Sequence, residues 1–211
     1  MVISHKSRVV VQYLVPIALM YTVLGLFLFK GKAPTIGAVL PYWGGMAGLT
    51  IAMTLAQDLF PKSTKEFVVF WRVRDRLPGH RAFTEKFGDL SRYDVDNISN
   101  IDSLKLLSPA KQQQMFYRTY RHHEKDARVS HYSFRYLAWR DSASSLILTG
   151  SVTVPVFGFF PTQHYLFPAI QLAGCMYFAA ILAILAARHS ANELVYQVLA
   201  AETQGAKHAI K

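Results

Sequence analysis

Charged and uncharged positions separate sharply along this chain. Val9 to Phe29 is a run of 21 residues without Asp, Glu, Lys or Arg. At about 1.5 Å per helical residue it reaches about 31 Å, one hydrocarbon thickness. Ala33 to Gln57 is a second uncharged run, of 25 residues, and Ser142 to Ala187 a third, of 46. The third is too long for one span and is interrupted by Phe160-Pro161-Thr162-Gln163-His164. The pattern therefore predicts an all-α membrane protein with four transmembrane helices, at about 9–29, 37–57, 144–160 and 165–187. The third helix holds Ser144, Ser145, Thr149, Ser151, Thr153 and Pro155. It is expected to face other helices rather than lipid.

The charges lie between these runs. Pro61 to Arg140 carries 16 of the 23 Lys and Arg residues, nine acidic residues and 13 aromatics. The expected organisation is an N-terminal transmembrane hairpin (1–60), a basic, mainly helical cytoplasmic domain inserted between helices 2 and 3 (61–140), a C-terminal transmembrane hairpin (141–188) and a cytoplasmic helical tail (189–211). The positive-inside rule sets the orientation. Lys6, Arg8, the basic segment, Arg188, Lys207 and Lys211 fall on one side; Lys30 and Lys32 fall on the other. Both termini are thus expected in the cytoplasm and the protein in an inner, cytoplasmic membrane. The apolar run after Lys6 and Arg8 is too long for a signal-peptide core and is followed by Lys-Gly-Lys, so it reads as an uncleaved first span.

Composition sharpens this picture. Hydrophobic residues make up 52% and charged residues 17%, against about 25% charged in an ordinary soluble domain. Net charge is +10, and Cys175 is the only cysteine. A simple soluble globule, a disordered chain and a disulfide-stapled secreted domain are excluded.

Within the basic segment, Ser63 and Glu66 have capping-box spacing and head an amphipathic stretch with Phe67, Phe70 and Trp71 on one face. Leu77-Pro78-Gly79-His80 predicts a type II turn, with a short helix from Arg81 to Leu90. Ser99 or Asn100 is expected to cap a short helix through Leu107. Ser108-Pro109 starts another, as an N-cap serine followed by proline. That helix carries Met115, Phe116, Tyr120 and His123, is expected to break near Asp126, and to resume from Ala127 into the third span. After Arg188, Ala191, Leu194, Val195, Val198 and Leu199 share one helical face, which ends at Gly205.

Candidate chemistry is sparse. Arg72, Arg74 and Arg76 flank the amphipathic stretch, and Arg118, Arg121, Arg128 and Arg135 interleave with Tyr117, Tyr120, Tyr132, Tyr136 and Trp139. Arginine with aromatic rings suits an anionic lipid surface or a nucleotide or nucleic acid ligand. His122, His123 and His131 form the one histidine cluster, but adjacent histidines diverge on a helix, so solvated histidines are favoured over a metal site. Asp94-Val-Asp96-Asn97 lacks the remaining ligands of a calcium loop. Gly44 and Gly48 are spaced for close helix packing, within one bundle or between copies of the chain. No catalytic or cofactor motif is present, and none of the uncharged runs contains the buried ionisable group of an ion-coupled transporter.

Phe70-Trp71-Arg72, Leu77-Pro78-Gly79-His80-Arg81-Ala82-Phe83 and Arg92-Tyr93-Asp94, followed by Pro109, Gln112–Gln114, Tyr117, Tyr120 and Arg140-Asp141, resemble a pattern in uncharacterised bacterial multi-pass membrane proteins. Some of these are similar to retron-type anti-phage membrane effectors. The resemblance covers about residues 67–141 and implies no catalytic residues. Read physically, Arg81, Arg92, Asp94, Arg140 and Asp141 are expected to form a structural ion-pair network, Arg81 with Asp94 among its pairs. The resulting expectation is a non-enzymatic membrane effector or sensor, without cofactor, homo-oligomeric, whose cytoplasmic domain receives a protein partner or ligand. The alternatives are a membrane enzyme acting on a lipid or anionic substrate, and a scaffold subunit.

Overall fold

The computed structural model describes residues 60–85, 101–158 and 166–209, and the described residues are helical, without strands. The expected spans at 9–29 and 37–57 lie outside them. The helices are α1 (Lys62–Phe70), α2 (Ile101–Lys105), α3 (Pro109–His123), α4 (Ala127–Gly158) and α5 (Leu166–Ala209), with a 3-10 turn at Pro78–Arg81 between α1 and α2. The chain divides into two compact units. The first is Met1–Lys65 with Asp141–Ala183; the second is Glu66–Arg140 with Ile184–Lys211.

Local chemistry accounts for most helix ends. At α3, Ser108 takes the N-cap place and Pro109 follows at the first helical position, although the serine side chain makes no capping bond. The Ser108 carbonyl accepts from the Gln112 amide at 2.9 Å. At α4, the Asp126 carboxylate accepts from the amides of Arg128 at 2.7 Å and Val129 at 3.4 Å. Such a cap stabilises a helix by about 1 kcal/mol, and it restarts the helix where a break is expected.

Three local expectations need correction. α1 begins at Lys62, with the Pro61 carbonyl accepting from Thr64 and Lys65 amides, so Ser63 lies inside the first turn and not at the N-cap. Its buried face is Lys65 and Val69, while Phe67 and Trp71 are exposed and Phe70 is half-buried. The type II turn at Leu77–His80 is instead a 3-10 turn. A type II turn needs positive φ at Gly79, which Gly79 does not adopt. Gly79 serves proximity: a Cβ built there would overlap the Gln113 side chain and stand 2.6 Å from Phe116 Cδ1 on α3. Finally, α5 runs through Gly205 to Ala209. A single glycine costs only about 1 kcal/mol, which this long helix absorbs.

The second unit has an ordinary apolar core. Phe83 near the 3-10 turn, Phe116 of α3, Val129 of α4 and Val195, Val198 and Leu199 of α5 pack together, with Leu194 and Tyr120 against them. The tail face expected from its spacing is therefore filled by the basic segment of the same chain. A second cluster joins Val69 to Tyr136, Ala187 and Ala191.

The first unit is built the other way round. α4 buries Ser142, Ala143, Ser144, Leu146, Thr149, Gly150 and Thr153, mostly small or hydroxyl residues, and α5 buries Ala173, Met176, Ala180 and Ala183. The two helices meet through Ser151 Oγ and Tyr177 Oη at 2.9 Å, and through Thr153 on Met176. A Cβ on Gly150 would lie 3.3 Å from the Tyr177 ring. Thr149 and Thr153 return their hydroxyls to the carbonyls of Ser145 and Thr149. The hydroxyl side of α4 thus faces protein, as its composition suggests. Lys65 is buried and pairs with Asp141 at 3.4 Å.

Among the described residues, one helical stretch, Ala173–Thr203 of α5, is long and apolar enough to cross a membrane. Only 39% of its most apolar window is buried within the protein. The hydroxyl-rich sequence of α4 lowers its own hydropathy below that level.

Candidate functional site

A strongly basic concavity lies in the second unit, where the chain leaves α1. Trp71 adopts φ of 52° and Asp75 of 49°. Left-handed backbone suits an aspartate but is unusual for a bulky tryptophan, and such strain costs of order 1–3 kcal/mol per residue. Arg72 and Arg76 each follow one of these left-handed residues in the loop that leads to the 3-10 turn. They bound a cavity of about 210 Å³, lined by Phe70, Arg72, Arg76, Pro78, Arg81, Glu85, Arg188 and Asn192.

Contacts within the unit hold this loop. Arg188 of α5 donates to the Val69 carbonyl and places its guanidinium 4.6 Å from the centre of the Trp71 ring. That stacking compensates part of the strain at Trp71. Arg76 donates to the Val73 carbonyl at 3.2 Å and lies over the Phe67 ring at 5.9 Å. His80 Nδ1 donates to the Pro109 carbonyl at 3.1 Å and is 3.4 Å from the Asp75 carboxylate. Arg81 forms a bidentate pair with Glu85, at 3.0 and 3.2 Å. Four guanidiniums thus share one cavity with one carboxylate. The arrangement attracts anions and offers planar donors to their oxygens.

Other residues singled out from the sequence are dispersed. Arg74 is exposed and does not line the cavity. On α3, Arg118 and Arg121 are exposed; Arg121 lies 5.5 Å over the Tyr117 ring and bonds its hydroxyl. That hydrogen bond raises the Arg121 pKa further above its ordinary value, so its charge is permanent. On α4, Arg128 is exposed and Arg135 half-buried, while Arg140 is buried over the Tyr136 ring at 5.8 Å. Asp141 meets Lys65. Arg81 has Glu85 as a carboxylate partner; Arg92 and Asp94, and with them the Arg81–Asp94 pair, lie outside the described residues, as do Gly44 and Gly48.

The histidines have separate surroundings. His122 and His123 stand edge to face at 4.9 Å, His123 Nε2 meets Glu202 of α5 at 2.8 Å, and His131 leans on Tyr132. Among the described residues no group of three or more His, Cys, Asp or Glu could hold a metal.

Arg188, Glu85 and Asn192 were not singled out by sequence. Arg188 carried a usable signal, as the first charge after the 46-residue uncharged run. Comparison with protein-family models, curated proteins and solved structures finds no match to this chain.

Proposed function

We propose that this protein is a non-enzymatic effector or sensor of the cytoplasmic membrane. In this reading four helices span the bilayer, both termini are cytoplasmic, and the basic helical domain takes a signal that the helical bundle converts into a change in the membrane. The observation that carries the reading is the inverted packing of the first unit. Within this unit α5 turns Ala173, Met176, Ala180 and Ala183 inward and leaves Ile170, Phe178, Ile181 and Leu182 about half or more exposed. Small residues between helices and large apolar residues outside suit a lipid solvent, whereas a water-soluble protein rarely exposes so continuous an apolar face. The end of the uncharged run at Arg188 and the basic surface beyond it place that domain beside anionic headgroups in this reading.

The test is expression in a bacterial host, with and without phage challenge, followed by alkaline extraction of membranes and a potential-sensitive dye. Retention in the extracted membrane together with depolarisation, reduced by Gly44→Ile or Gly48→Ile, is the expected result. Release by alkaline extraction overturns the membrane reading. Retention without depolarisation in either condition overturns the effector reading in favour of a scaffold.

A further inference from the structure

We propose that the cavity beside Trp71 is a binding site for a phosphate group. Its walls bring Arg72 and Arg76 from the loop after α1, Arg81 from the 3-10 turn and Arg188 from α5 around a space of about 210 Å³. Pockets that enclose drug-sized ligands run to about 300–1,000 Å³, so the occupant is a small group with a short attachment. Three charges remain in excess after Glu85 neutralises one guanidinium. A lone carboxylate ligand would leave most of them uncompensated. A phosphate offers up to two charges and several acceptor oxygens to several forks at once.

The backbone around the site supports a ligand role. Two left-handed residues, Trp71 and Asp75, directly precede the loop arginines Arg72 and Arg76, and strain of this kind concentrates at binding sites. Arg188 fastens the loop through Val69 and Trp71, so one side chain both positions the site and contributes charge to it. Asn192 lies one helical turn beyond Arg188 on α5 and adds a neutral amide.

The phosphate has two chemical sources: a phospholipid headgroup or a soluble phosphate ester. The binding itself rests on the cavity alone; only the lipid source rests on the membrane reading above.

The test uses the full chain in a neutral detergent and measures equilibrium binding of radiolabelled inorganic phosphate at constant ionic strength. Saturable binding is expected. Arg72→Gln should weaken it by about tenfold or more, through loss of a charge-assisted contact. Glu85→Gln should act in the opposite direction and tighten it, by about two- to fivefold, because a repelling charge is removed. That gain separates ligand binding from a merely structural role, since loss of folding weakens binding in every variant. Arg118→Gln on α3, outside the cavity, should leave binding unchanged. Competition then identifies the source. Displacement by phosphatidic acid in mixed micelles, with none by glycerol phosphate, supports the site with a lipid ligand. The converse supports it with a soluble ester. Absence of saturable binding, or equal weakening by Arg72→Gln and Arg118→Gln, overturns the proposal. Alkaline extraction reads the membrane assignment independently of either result.

Discussion

The two units of this chain obey opposite packing rules although the same helix, α5, runs through both. Up to Ala183, in the first unit, its buried side is Ala173, Met176, Ala180 and Ala183, and its exposed side carries Ile170, Phe178, Ile181 and Leu182. From Ile184 on, in the second unit, its buried side includes Ile184, Val195, Val198 and Leu199, and its exposed residues include His189 and Glu202. Helix-forming tendency does not separate these halves. What differs is the partner each face requires. In the second unit large side chains of α5 are removed from water, which stabilises by about 25 cal/mol for each Å² of apolar surface buried. In the first unit small side chains let α4 and α5 approach closely, and hydroxyl bonds add to the burial of Leu146 and Met176. The difference teaches that mean apolarity places α5 in one class while the positions of its large residues place it in two.

The largest expected contrast comes from aromatic truncation. Phe116→Ala empties the second unit's core and should cost about 3–5 kcal/mol, read as protease sensitivity of the basic segment. Phe178→Ala, at a side chain 64% exposed, should leave proteolysis unchanged. Equal sensitivity would mean that Phe178 is buried by something in the folded protein, and would undo the contrast.

Charge insertion comes next. Ile181→Arg should oppose membrane insertion by about 2.5–3.5 kcal/mol if that face meets lipid, reducing the fraction retained after alkaline extraction. Leu106→Arg, at a large apolar residue 88% exposed in the second unit, should stay within about 0.5 kcal/mol of the parent. Retention of the Ile181 variant at the parent level would move the first unit into the same class as the second.

The smallest contrast is between two glycines. Gly79→Ala forces a methyl group into Phe116 and Gln113 and should destabilise the second unit by about 1–3 kcal/mol. Gly174→Ala meets nothing within 4 Å on α5 and should stabilise the helix by up to about 1 kcal/mol. Thermal unfolding of the two variants in detergent reads the sign of each. A destabilised Gly174→Ala would place a close neighbour against that surface.

Much of the helical plan was legible in the sequence because its signals are local. Ser108-Pro109 and Asp126 act on backbone groups within three or four residues, so their effect survives whatever packs around them. The tail face from Ala191 to Leu199 was legible through its spacing, and the hydroxyl stripe of α4 through its composition. The orientation of α1 was only partly so: Phe67, Phe70 and Trp71 look like its apolar side, yet Val69 is the residue buried in the core, Phe70 packs at the edge of it, and Phe67 and Trp71 are exposed. The turn at Gly79 was misread because glycine answers two needs, positive φ and lack of a side chain, and the sequence does not distinguish them.

By itself, then, the sequence determined where α3 and α4 begin, which segments exclude charge and where positive charge concentrates. Each depends on neighbours along the chain. The tertiary structure decided which arginines share a space. Arg188 holds the carbonyl of Val69, 119 residues away in the chain, and so joins Arg72, Arg76 and Arg81 around one cavity. No periodicity encodes that meeting, because it depends on how α5, the loop after α1 and the 3-10 turn pack within the second unit.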